Sequence, residues 1–463
     1  MTERLVVIGG DAAGMTAAAR ARRRRDTDEL EIVAFERGPY TSYSACGIPY
    51  FVGDLVTDVD DLIARSPEEH RHNGIDVRTG HEVLAIDVNR RHVRVREPAV
   101  DSGDGADAAA TERDEPFDQL VVATGAVPVR PRLPGIDADG IYGVQTLADG
   151  VAVRRAVDER APRRAVVVGG GYVGLEMAEA LVRRGLEVAL VDQAEQPMAS
   201  TLDGDMGALV AEALRGVGVT VHLGEPATGF DSDGGAVRAV HTEQRTLPAD
   251  LVVLGLGVRP NSGLAEEAGI ALGETSGIVT DSRMETSVGG VWAAGDCVES
   301  TDRVTGRPVV VALGTHANKQ GRVVGINATG GDAHFAGVVG TAASKICAYE
   351  VARTGLTERQ ASDAALEVVA ATIESTTRAG YYPGASTIRV KVVAERAGGR
   401  IVGAQIVGEE GAAKRIDVLA TAIWNRMTVD EVANLDLSYA PPFSPVWDPV
   451  LIAARRAADR LRP

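Results

Sequence analysis

The chain has 463 residues, 45% of them hydrophobic and 24% charged, so it is ordinary for a globular protein and too long for one core. Its formal net charge of −17 argues against a nucleic-acid partner or an anionic membrane surface, and no run of about 18 apolar residues could span a bilayer. The three cysteines, Cys46, Cys297 and Cys347, form no disulfide framework, and no signal peptide is recognisable, which together predict a reducing cytoplasm.

Residues 4–8 (RLVVI) predict a strand, GGDAAG a tight turn, and the Ala/Arg-rich stretch after it a helix. EIVAF (31–35) is a second strand ending at Glu36, which completes a βαβ opening. Gly9, Gly10, Ala12, Ala13 and Gly14 shape a turn whose helix N-terminus suits a pyrophosphate, and Glu36 suits a ribose. Asp11 stands where the usual fingerprint has its middle glycine. The run Arg22–Arg25 reads as a solvated helix face, with an anion-binding patch as the alternative.

Cys46 lies in TSYSACGIPYFVGD, where Gly47 and Pro49 predict a turn entering a helix. A cysteine at a helix N-terminus is expected to have a lowered pKa. Residues 98–117 are polar and acidic and predict an extended hairpin or a disordered loop. FDQLVVATGA follows as a buried strand and turn, and 131–150 has the proline and glycine content of a crossover.

A second βαβ opening, AVVVGGGYVGLEMAEAL, carries a complete fingerprint in Gly169, Gly171 and Gly174, with Glu176 just inside the helix. Its next strand ends at Asp192, which suits a free 2′-hydroxyl, and residues 193–197 offer no Arg or Lys for a 2′-phosphate. NADH is therefore preferred, with NADPH as the alternative. Two dinucleotide folds in one chain pair most economically as a nicotinamide donor and a flavin. After a short strand in VWAAGDCV (291–298), the pattern changes to alternating strands, TIRVKVVAE and RIVGAQIVG, and then helices. That order predicts a separate α+β domain.

The motifs GGDAAGM, SACGIPYFVGD, VVATGA, GGGYVGLEMAE, AAGDC, ANKQGR, EVARTGLTE, AGYYPGA and SYAPPFSPVWD cover nearly the whole chain. In combination they resemble the pyridine nucleotide-disulfide oxidoreductases, in the single-cysteine branch of coenzyme A-disulfide reductases, NADH oxidases and peroxidases, and persulfide reductases. The resemblance implies an α/β protein: two Rossmann-like three-layer domains, binding FAD and NAD(P)H, and a C-terminal α+β dimerisation domain. The expected divisions are 1–148 and 271–330 for FAD, 149–270 for NAD(P)H, and 331–463 for the homodimer contact.

It also implies roles for residues. Cys46 would form a mixed disulfide with a small thiol, and Tyr381 and Tyr439 of a partner subunit would protonate the departing sulfur. Val83, Ala123, Thr124, Gly125, Gly257, Gly295 and Asp296 would contact the cofactors. Tyr172 would gate the nicotinamide pocket, beside Val173 and Glu176. Thr16, Arg20, Arg23, Ser42 and His316 match coenzyme A contacts. No metal is expected. Phe51 replaces the second cysteine of two-cysteine reductases, Ala12 a histidine of the oxidases, Ala45 an asparagine and Trp447 a lysine. The implied function is reduction of a low-molecular-weight disulfide. The alternatives are an oxidase, peroxidase or persulfide reductase using the same cysteine, and a flavoprotein feeding electrons to a protein partner.

Overall fold

A computed structural model describes residues 2–98 and 111–462. The acidic segment expected over 98–117 therefore lies mostly outside the described residues. Its end, Glu112–Pro116, pairs antiparallel with His92–Arg96.

Two five-stranded parallel sheets dominate the chain. The first runs in the order Val291–Ala293, Gln119–Val122, Glu3–Ile8, Leu30–Glu36, Asp76–Thr79. Leu5, Val6, Val7, Leu120, Val121 and Val122 are all buried, as continuous apolar runs in a parallel sheet must be when both faces are covered. The helices Ala12–Arg22 and Gly314–Asn327 pack against each other, and Thr16 Oγ1 donates to Asn318 Oδ1 at 2.7 Å between them.

The second sheet runs Thr220–Leu223, Glu187–Asp192, Arg164–Val168, Leu251–Leu254, Ile141–Gly143. Its edge differs from the expected division at 148. Ile141–Gly143 pairs with Leu251–Leu254 in the second unit, and residue 148 falls inside the helix Leu147–Arg160. Ala265 and Ile270 belong to the core of the first unit, so the return crossover precedes 270. A three-residue edge strand in a Pro/Gly-rich stretch carries no periodicity, which is why the sequence did not mark it.

The C-terminal unit is an antiparallel sheet in the order Ala342–Ile346, Tyr349–Gly355, Ile401–Gly408, Thr387–Glu395, Val368–Thr376. The helices Ile416–Trp424, Val429–Ala433 and Pro449–Leu461 accompany it. In the last of these, Val450, Ala453, Ala454, Ala457 and Ala458 form one buried stripe at helical spacing. Buried Lys391 of this sheet bonds Asp205 at 2.8 Å, Glu358 at 2.6 Å and Asp203 at 3.2 Å, which locks the unit to the second nucleotide fold. Among the described residues, no helix is long and apolar enough to cross a membrane.

Candidate active site

The two glycine turns are built alike. Gly9 (φ +112°) and Gly169 (φ +105°) adopt backbone that side-chain-bearing residues avoid, and a Cβ on either would strike the backbone just past the neighbouring strand, at Ala123 and at Gly255. The next residue of each turn binds the acid that ends the following strand. The Gly10 N–H donates to Glu36 at 2.8 Å, and the Gly170 N–H donates to Asp192 at 2.6 Å. Each acid also accepts from the backbone two residues on, Gly38 at 2.7 Å and Ala194 at 2.8 Å.

Asp11 needs no glycine's freedom. It sits in extended backbone (φ −113°, ψ −155°) as N-cap of Ala12–Arg22 and accepts the Tyr43 N–H at 3.1 Å. Burial first, then the charges of Glu36 and Asp296, push its carboxyl up to about 7 against the Tyr43 bond. Burial alone lifts Asp296 to about 6. Thr124 is fixed by its hydroxyl on Asn261 O at 2.6 Å, and Gly125 O accepts the Asn261 N–H at 2.9 Å. Gly257 O accepts the Val129 N–H at 2.9 Å, and Val83 is buried in the first core.

Cys46 is exposed in the 3-10 turn Ala45–Gly47, which runs directly into the one-turn helix Ile48–Val52. Its thiol corrects the sequence expectation. Partial desolvation of the sulfur by the surrounding fold, then Glu176 and Asp296, push it above its ordinary value, not below. A helix of one turn has little dipole to set against two carboxylates. These charges, with Asp11 also acting on Cys46, bring together the thiol, the first glycine turn, the 295–296 turn and the second fingerprint. Phe51 is buried, with the Arg154 guanidinium 4.4 Å from its ring centre.

Glu176 and Tyr172 lie on the helix Tyr172–Arg183, with Val173 and Gly174 between them. Burial raises Glu176, and the Ser344 hydroxyl opposes this by donating to it at 2.5 Å. The Tyr172 hydroxyl is buried and lacks a hydrogen-bond partner among the described residues.

Of the expected thiol-ligand residues, Thr16 and Arg20 share the helix Ala12–Arg22. Arg20 Nε is buried and unpartnered among the described residues, and Arg23 is exposed. A side chain at Gly295 would meet Ala13 and Ala317, so His316, beside Ala317, starts its helix against the 295–296 turn. Burial, then Lys319, pushes His316 down to about 4. Ser42 precedes Cys46 by four residues, and its hydroxyl meets His70, which the sequence reading missed, at 2.9 Å. The rest of the basic run is structural: Arg22 bonds the carbonyls of Gly74 and Leu30, and Arg25 pairs with Glu3.

Tyr381 and Tyr439 are not against Cys46 in this chain. They stand exposed on the C-terminal unit with Phe443, Val446 and Trp447. Partial desolvation and then the neighbouring Tyr381 phenol raise Tyr439 above its ordinary value. Arg415 ties their loops together through Thr377 O at 2.8 Å, Phe443 O at 2.7 Å and Asp448 at 3.0 Å.

These residues fit a flavin dinucleotide. A cavity of about 470 Å³, lined by Glu36, Arg37, Tyr40, Pro128, Gly143 and Leu147 among others, adjoins the first glycine turn. The turn's helix start suits a pyrophosphate, and Asp296 is a half-buried acid available to hydroxyl donors. Among the described residues, no three His, Cys, Asp or Glu side chains converge as a metal site.

Comparison with known proteins agrees with this geometry. Residues 3–321 match the pyridine nucleotide-disulphide oxidoreductase family, and 341–449 match that family's dimerisation domain. An NADH oxidase of Methanocaldococcus jannaschii is 37% identical over 459 residues, 99% of either chain. A coenzyme A disulfide reductase of Staphylococcus haemolyticus is 29% identical over 98% of this chain and 99% of its own. The solved structure of an NAD-dependent persulfide reductase from A. fulgidus is 40% identical with a TM-score of 0.93, covering 99% of this chain and 83% of that one. Paired nucleotide folds, a thiol set between them and matches over most of the sequence have one explanation: the chain belongs to the pyridine nucleotide-disulphide oxidoreductase family and is an FAD-dependent enzyme that uses a pyridine nucleotide.

Proposed function

We propose that the chain reduces a low-molecular-weight disulfide with electrons from NADH, NADPH being the alternative donor, and that Cys46 is the sulfur through which they pass. The observation that carries this reading is the setting of Cys46. It is exposed, acted on by Asp296 of the first unit and Glu176 of the second, with buried Phe51 where an internal disulfide partner would stand.

FAD, when bound, supplies two-electron transfer between the pyridine nucleotide and sulfur. Gly9 to Gly14, Glu36, Ala123 to Gly125, Gly295 and Asp296 would hold it; Gly169 to Glu176 and Asp192 would hold the nucleotide. The Cys46 thiolate attacks R–S–S–R, forms Cys46–S–S–R and expels RS⁻. A phenol of the Tyr381–Tyr439 pair, delivered by a second copy in a homodimer, gives that sulfur its proton. Two electrons entering the Cys46–S–S–R bond restore the Cys46 thiolate and release the second RS⁻, which is then protonated. The sum is R–S–S–R, NADH and one proton giving two RSH and NAD⁺. Such a cycle suits a reducing cytoplasm.

Coenzyme A is the proposed thiol. Arg20 Nε, which has no partner among the described residues, supports an anionic ligand together with Thr16, Arg23, Ser42 and His316, and a relative carries the name coenzyme A disulfide reductase. Persulfide reduction is the second reading, favoured by the 40% identity to a persulfide reductase. The test is NADH consumption with coenzyme A disulfide, polysulfide, hydrogen peroxide and oxygen, in parent and Cys46→Ser. Coenzyme A disulfide turnover lost in the variant supports the proposal. Polysulfide as the only acceptor supports the second reading, and undiminished turnover in Cys46→Ser overturns both.

A further inference from the structure

Ser42 is held in an unusual way. Its backbone is left-handed (φ +47°), a conformation that serine rarely adopts and that persists only when its surroundings fix it. Three contacts do so. Its N–H donates to Gly10 O at 3.0 Å, its carbonyl accepts the Ala64 N–H at 2.8 Å, and its hydroxyl lies 2.9 Å from His70 Nε2. The next residue, Tyr43, is the one bound to Asp11.

His70 is only 1% exposed, in the helix Pro67–His72, and its other ring nitrogen, Nδ1, is buried with no hydrogen-bond partner among the described residues. That asymmetry selects a tautomer. A proton on Nδ1 would bury an N–H with nothing to receive it, and would leave Nε2 to accept the Ser42 hydroxyl, turning that hydroxyl inward. A proton on Nε2 leaves only a lone pair unmatched. Orphaned buried N–H groups are rarer than under-satisfied acceptors, so the second arrangement prevails. Nε2–H then donates to Ser42 Oγ, and the serine's own proton is left to point away from His70.

We propose that His70 is a positioning residue that makes Ser42 a one-way hydrogen-bond donor toward an acceptor oxygen, phosphate or amide carbonyl, of the substrate thiol. The inference rests on the coenzyme A reading above. It adds a residue 28 positions from Ser42 that sets the direction of one substrate contact. His70 stays neutral near pH 7, because burial and then Arg65 push its imidazole down to about 4.

Two measurements test it on the flavin-loaded enzyme. The first is the ¹⁵N spectrum of histidine-labelled protein, with the His70 signals assigned by their loss in His70→Phe. A proton on Nε2 is expected, and a proton on Nδ1 overturns the proposal whatever the substrate. The second is steady-state kinetics with coenzyme A disulfide and with the uncharged bis(2-hydroxyethyl) disulfide. His70→Phe is expected to raise KM for coenzyme A disulfide about tenfold, with less than a twofold change in kcat and in KM for the uncharged disulfide. His70→Gln, whose amide N–H can replace Nε2–H, is expected to recover most of that KM. Equal KM in parent and His70→Phe overturns the proposal. A parent that does not turn over coenzyme A disulfide at all overturns the substrate reading, and the spectrum then decides the role of His70 alone.

Discussion

The Ser344 hydroxyl donates to the Glu176 carboxylate across 2.5 Å, so a strand of the C-terminal unit fixes an acid on the helix that follows the second glycine turn. After burial, Glu176 is the strongest influence raising the Cys46 thiol. Removing its charge should therefore free thiolate. Glu176→Gln is expected to speed alkylation of reduced Cys46 by iodoacetamide about two- to fivefold near pH 8. An unchanged or slower rate would show that the carboxylate does not act on the sulfur.

Asp11 should give flavin binding a pH dependence. Burial first, then Glu36 and Asp296, hold its carboxyl up to about 7. Below that pH it is neutral, and above it adds a negative charge beside the pyrophosphate position. FAD release, followed by flavin fluorescence after dilution, should be about three- to tenfold faster near pH 8.5 than near pH 6. Asp11→Asn should remove most of the difference.

Arg415 joins the two tyrosine loops through Thr377 O, Phe443 O and Asp448. If the tyrosine pair supplies the leaving-group proton, Tyr381→Phe with Tyr439→Phe should lower disulfide turnover about 10²-fold. Arg415→Met should lower it about tenfold by letting the loops part, with Tyr381 and Tyr439 still present. Turnover of a disulfide whose thiol has a low pKa should suffer least, because that sulfur leaves without a proton.

His70 also sets an acid limit on stability. Its folded value is about 4 against an ordinary 6.5, so as pH falls the unfolded chain takes up the proton first. The stabilisation is complete above about pH 6.5 and is lost progressively toward pH 4, at most ~3 kcal/mol. Urea midpoints of parent and His70→Phe between about pH 7 and pH 5 should show the parent falling more steeply.

Much of this architecture is local in the chain and so could be read from it. Gly9 and Gly169 are demanded by a turn, Glu36 and Asp192 end strands at the expected distance, and the apolar runs before them are continuous. What escaped is non-local. The upward shift of the Cys46 thiol comes from its packing in the fold and then from Glu176 and Asp296, both far away along the chain, and the sequence shows only the short helix that argues the other way. His70, Ser344 and Arg415 have no motif around them, and each matters only for what it touches after folding. Ile141–Gly143 is too short to show a period, so its pairing with Leu251–Leu254 could not be read from the sequence.

The mass of Cys46 in protein purified without reductant tests the central claim most directly. An adduct is expected on the Cys46 peptide, equal to a small thiol in disulfide linkage, that disappears on anaerobic addition of one NADH per subunit as the free thiol is released. A bare Cys46 after oxidation with disulfide, in enzyme that still reduces that disulfide at the full rate, would contradict it.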